Sequence, residues 1–95
     1  MPYVLKHSGI HQILTSRLVN HYGLTYYGVK FWEGVDEAEA QKQQTLALAG
    51  EMDADVWEIM ELEEGEMKLC NVRLRNDPAY QLFWNEARKP EVRKS

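Results

Sequence analysis

The stretch from Asp36 to Gly50 is acid-headed, glycine-ended and built almost wholly of Ala, Glu, Gln, Lys and Leu. Asp36 with Glu39 three residues on predicts a capping box, and Gly50 stands where a left-handed C-cap belongs, so a helix is expected from Glu37 to Ala49. Its apolar stripe of Val35, Ala38, Leu46 and Ala49 is narrow and small-sided. A helix of about 13 residues is marginal by itself. This one must therefore press closely on a sheet, and the rest of the chain has to supply that sheet.

Two segments read as hairpins. Ile10 to Val19 mixes β-branched and polar residues, Asn20-His21-Tyr22-Gly23 supplies turn formers, and Leu24 to Trp32 is the return strand. Alternation along that strand sends Tyr27, Val29 and Phe31 to one face, as core, and Tyr26, Lys30 and Trp32 to the other. The second hairpin is expected to pair Val56–Leu62 with Met67–Leu74 around Glu63-Glu64-Gly65-Glu66. With Glu64-Gly65 as a two-residue loop, Glu61 faces Lys68, Ile59 faces Cys70 and Trp57 faces Val72, whereas a bulge at Gly65 would put Ile59 beside Leu69 instead.

After Arg75-Asn76-Asp77-Pro78 there are two alternatives. Asp77 caps and Pro78 opens a short helix through Trp84, or a terminal strand runs from Gln81 to Glu86. Residues 88–95 read as a charged, frayed tail unless Val92 pairs along a sheet edge. The expected fold is thus α+β in ββαββ order: an antiparallel sheet of about four strands, one main helix on one face, and a short C-terminal helix as an option. At 95 residues the chain is read as a single domain, 1–95, with an ordered core over 3–87.

Charge is arranged in blocks. Residues 1–32 carry +3 with no acid, residues 33–66 carry −11 with Lys42 as their one base, and residues 67–95 carry +4. Folding either interleaves these blocks or leaves an acidic face toward a basic partner. Cys70 is the only cysteine, which excludes an intrachain disulfide or a Cys-pair zinc site and fits a reducing, cytoplasmic setting. The N-terminal residues lack a signal-peptide core, and no run of about 18 apolar residues occurs, so no membrane association is expected.

No catalytic set emerges. His7 and His11 have helical ligand spacing, but Ser8-Gly9 between them argues against a helix, and HExxH is absent, so no metal is expected. Cys70, among apolar neighbours, reads as a buried structural thiol. The glutamates from Glu58 to Glu66 read as a solvated acidic loop rather than an acid/base pair. Neither a phosphate-binding Gly-rich loop nor a GxSxG elbow is present, and neither enzymatic activity nor a cofactor is expected.

The aromatic clusters remain. Adjacent aromatics on a strand point to opposite faces, so a second face of the sheet must carry some of them. The candidate interaction surface is Tyr26, Lys30, Trp32, Tyr80 and Trp84. Such a face beside Lys30, Arg17 and Arg73 could instead hold a small molecule or stack single-stranded nucleic acid. The acidic composition and the missing RNP pattern disfavour nucleic acid, and a protein partner or a second copy of the chain is the leading expectation.

Tyr26-Tyr27-Gly28-Val29-Lys30-Phe31-Trp32, Leu69-Cys70-Asn71-Val72 and Phe83-Trp84-Asn85-Glu86-Ala87 look similar to segments of small hypothetical proteins of cyanobacteria. That resemblance spans most of the chain. It implies a source and no activity, cofactor or site residue. The functional expectation is a non-catalytic protein-interaction or regulatory module, homodimerisation included.

Overall fold

The computed structural model describes residues 1–94. In chain order its elements are β1 (Tyr3–His7), β2 (Gln12–Ile13), β3 (Thr15–Val19), β4 (Thr25–Val29), β5 (Phe31–Trp32), α1 (Val35–Leu48), a 3-10 turn at Ala54–Val56, β6 (Trp57–Glu61), α2 (Glu64–Leu74), β7 (Tyr80–Trp84) and β8 (Pro90–Lys94). The class is α+β with antiparallel pairing, as expected. The sheet is larger than the expected four strands, however, and the order of elements is not ββαββ.

The centre of the main sheet is β1, a strand that sequence patterning did not reveal. One edge pairs with all of β6, from Tyr3 opposite Glu61 to His7 opposite Trp57. The other edge is shared: Lys6 meets Ile13 of β2, and Tyr3 and Val4 meet Trp32 and Phe31 of β5. Beyond β2 the sheet continues through β7 and then β8. Adjacent Val4 and Leu5 point to opposite faces yet are both fully buried, because the sheet is covered on both sides here. Leu5 joins Leu14, Trp32 and Trp57 beneath Ala38 and Leu46 of α1. Val4 joins Ile13, Val29 and Leu82 beneath Met67, Cys70 and Leu74 of α2.

The first hairpin forms as read. Its strands pair from Thr15 opposite Val29 to Val19 opposite Thr25. In the turn, the Asn20 side chain accepts hydrogen bonds from the Tyr22 and Leu24 N–H groups at 2.9 and 3.1 Å. Gly23 adopts φ +80°, where a side chain would be strained. The hairpin bends where β2 gives way to β3 at Leu14 and β4 to β5 at Lys30, and the Lys30 N–H donates to the Leu14 carbonyl across that bend (3.1 Å). Its base thus belongs to the main sheet while its arm forms a separate two-stranded sheet. Tyr27, Val29 and Phe31 all turn toward the α2 side, as alternation predicts.

Helix α1 occupies the expected segment, and Gly50 has φ +80° as a left-handed residue past its end. The expected Asp36 cap does not form. Gly34 is the N-cap, the helix starts at Val35, and Asp36 and Glu37 lie in the first turn, favourable for the macrodipole. Val35 and Ala49 are exposed, leaving Ala38 and Leu46 as the buried stripe.

The second hairpin is corrected. Met67–Leu74 is helical, and only Trp57–Glu61 is a strand. Glu63 is the N-cap of α2, and the Glu66 carboxylate accepts from the Glu63 N–H at 2.9 Å, so the acidic run read as a turn is a capping arrangement. Met67, Cys70 and Leu74 recur at helical spacing on its buried face. The short C-terminal helix is corrected as well. The Asp77 side chain accepts from the Ala79 N–H (2.9 Å) and the Tyr80 N–H donates to the Asp77 carbonyl (3.0 Å), a turn that launches β7. The supposed tail supplies β8, in which Val92 lies opposite Leu82. Of the tail, only Ser95 falls outside the described residues.

Candidate interaction surface

Five strands have an edge that pairs with no other strand among the described residues: β4, the two-residue β5, and the longer edges of β3, β6 and β8, whose sequences treat that edge differently. β8 begins at Pro90 and carries Glu91, Arg93 and Lys94. β6 carries Glu58 and Glu61. Proline and charge on an edge discourage a further strand from adding. β3, Thr15-Ser16-Arg17-Leu18-Val19, has no proline and one charge.

The direction of the β3 backbone follows from what β4 does on its far side. The Tyr27 N–H donates to the Asn76 side chain at 2.6 Å, and the Val29 N–H to the Asn71 side chain at 3.1 Å. Both groups therefore point away from β3. In an antiparallel ladder their opposite numbers point away too, so Arg17, opposite Tyr27, and Val19, two residues on, turn N–H and C=O outward. Two asparagines on and just after α2 thus seal one edge of the hairpin, and the β3 edge is left open.

Beside that open edge lies a groove of about 260 Å³ between the hairpin and the last turn of α1, lined by Leu14, Leu18, Leu48 and Ala49 with Arg17 and Lys30 at its rim. Leu48 is 83% exposed, and the hairpin end adds Val19 at 65%, Tyr22 at 77% and Leu24 at 64%. Isolated exposed apolar residues are ordinary, so the feature that sets this region apart is the unpaired strand beside an apolar groove.

The five residues expected to form one patch do not make one exposed face. Trp32 is 4% exposed, beneath α1, and its indole N–H donates to Gln41 at 3.0 Å. Trp84 is 5% exposed, in the core beneath α2. Tyr26, Lys30 and Tyr80 are half-buried, and the Lys30 ammonium sits 5.2 Å from the Trp32 ring. The second aromatic face is covered because α1 and α2 lie on opposite sides of the sheet. Lys30 alone of the five borders the groove beside β3. Leu18, Val19, Leu24 and Leu48 were not singled out in the sequence. One signal was there: a two-stranded arm with apolar residues on both faces has one face more than a single helix covers.

A second groove, of about 450 Å³, lies between the β1–β2 and β7–β8 turns, with Met60, Phe83 and Trp84 in its wall. Two of its cations are engaged. Lys6 pairs with Glu58 at 3.2 Å, and Arg88 makes a two-pronged contact with Glu66 at 2.9 and 3.1 Å. Both pairs join the acidic block to a basic one. Hydrogen bonding from Arg88 holds the Glu66 carboxyl below its ordinary range and raises the Arg88 guanidinium in return.

The remaining candidates are structural in their contacts. Burial, helped by the nearby Glu66 charge, pushes the Cys70 thiol up to about 12, which leaves almost no thiolate at neutral pH. The His7 ring nitrogen Nδ1 accepts from the Gly9 and Ile10 N–H groups at 3.0 and 3.2 Å, fixing the β1–β2 turn. Among the described residues no group of three or more His, Cys, Asp or Glu side chains could hold a metal, and no helix is long and apolar enough to cross a membrane. No protein-family model, curated protein or solved structure matches the chain.

Proposed function

We propose that this chain is a non-catalytic protein-interaction module that binds by strand addition along β3. The observation that supports the reading is the contrast among its edges: β6 and β8 carry charge or proline, while β3 offers outward backbone groups of Arg17 and Val19 beside the Leu14, Leu18 and Leu48 groove. In strand addition the main-chain hydrogen bonds supply affinity and alternate side chains supply specificity. Here a partner's alternate residues would enter the groove between the hairpin and α1.

The test is Arg17→Pro. It deletes one outward donor and leaves the ladder to β4 intact, because the Arg17 N–H takes no part in that ladder. Wild type and variant, both shown folded by circular dichroism, are compared as bait in the source cell, and exchange of the Arg17 and Val19 amides is followed in the wild type. The reading expects capture lost in the variant and slowed exchange of both amides in the bound wild type. Equal capture by the two baits, or exchange unchanged on binding, overturns it.

A further inference from the structure

We infer that the strand added to β3 is the β3 of a second copy of this chain, so that the module is a two-fold homodimer paired through its hairpin arms. The inference rests on the strand-addition reading and commits it to one occupant. Its basis is that β3 is self-complementary in one register. When two copies of β3 run antiparallel about a two-fold axis at Leu18, Arg17 of each faces Val19 of the other. Both residues turn their backbone groups outward, so these opposed pairs exchange N–H···O=C hydrogen bonds.

Leu18 then faces its own equivalent in the non-hydrogen-bonded position, where Cβ atoms approach to about 4.5–5.5 Å and side-chain contact is closest. Flanking it, Ser16 faces Asn20 of the other copy, polar against polar. Centring the axis on Arg17 instead would set two guanidinium groups face to face, which disfavours that register. Leu18 already lines the groove with Leu14 and Leu48, so a second Leu18 arrives against an apolar wall. An isologous contact of this kind closes on itself, which takes up the β3 edge and leaves that edge no template for a growing filament.

The inference makes residue 18 its own partner, and that permits a test that edge exposure alone would not satisfy. Leu18→Lys and Leu18→Glu are prepared separately and then mixed, with mass followed by light scattering. The expected result is a dimeric wild type, monomers for each variant alone, and a dimer in the equimolar mixture, where Lys faces Glu. Leu18→Cys, with Cys70 too buried to compete, should oxidise to a covalent dimer, while Arg17→Cys should not. A wild type that stays monomeric at high concentration, or a mixture no more associated than its components, overturns the inference. If the wild type is monomeric while Arg17→Pro still abolishes capture of a cellular protein, self-pairing falls and strand addition stands. If Arg17→Pro changes neither mass nor capture, both fall.

Discussion

Gly28 should be replaceable by alanine only after Asn71 has been shortened. A Cβ built at Gly28 would lie 2.8 Å from the Asn71 side-chain oxygen, with the ring of Tyr26 next at 3.1 Å. The ring edge can swing away. The oxygen cannot move without abandoning the Val29 N–H that it accepts at 3.1 Å. Gly28→Ala alone therefore acts by breaking that hydrogen bond and should cost about what leaving a buried donor unpaired costs, ~1–3 kcal/mol. Asn71→Ala removes the same bond directly and should cost the same. In the double variant the bond is lost once and the methyl group finds space, so the total should match Asn71→Ala alone, less about 0.4–1 kcal/mol from the reduced freedom of the unfolded chain. The coupling, which is the Gly28→Ala cost plus that gain, is then about 1.4–4 kcal/mol, well beyond the scatter of roughly 0.3–0.5 kcal/mol for independent sites. Urea unfolding followed by tryptophan fluorescence measures all four corners of the cycle. Additive costs would show that Gly28 is required for some reason other than Asn71.

Two further outcomes follow from the titrating groups. Because the Glu66 carboxyl is held below its ordinary value, chiefly by Arg88, its contribution is fully present above the unfolded value of 4.5 and is lost as pH falls through the lower folded value. Urea midpoints should therefore show wild type ahead of Glu66→Gln by a constant margin at neutral pH and by a shrinking one below 4.5; a margin independent of pH would refute the assignment. Cys70, with its thiol near 12, should resist iodoacetamide in the native protein at pH 8 and react only at the rate of global unfolding, and prompt labelling would contradict its burial.

The parts of the fold legible in the sequence were those decided by neighbours along the chain. Asn20 and Gly23 mark the hairpin turn through their own backbone preferences, and Ala, Gln and Glu with Gly50 mark α1. The sorting of Tyr27, Val29 and Phe31 from Trp32 follows from strand geometry alone. Strand β1 escaped because Val4 and Leu5 are buried on opposite faces, which erases the alternation that announces a half-exposed strand. Helix α2 escaped because Cys70, Val72 and Leu74 fit one face of a strand as readily as Met67, Cys70 and Leu74 fit a helix. The deciding signal was the reach of Glu66 back to Glu63. The candidate surface was the least legible feature. Whether Trp32 and Trp84 are covered depends on helices elsewhere in the chain, and an open edge at β3 is a fact about what does not come to lie beside it.

The central place of β1 also bears on the order in which the chain can assemble during its synthesis. The arm of β3 and β4 closes over a five-residue turn and can form on the microsecond scale as soon as it emerges. Joining Tyr3 to Glu61 encloses roughly 57 residues, which by chain-closure entropy costs about 2 kcal/mol more than the turn. The β6 edge of β1 and the α2 cover over Val4 must therefore wait until Trp57–Glu61 and then α2 have left the ribosome. For that interval the nascent chain displays an unpaired edge of its central strand next to a finished hairpin, and the demand on chaperones should be greatest at those intermediate lengths.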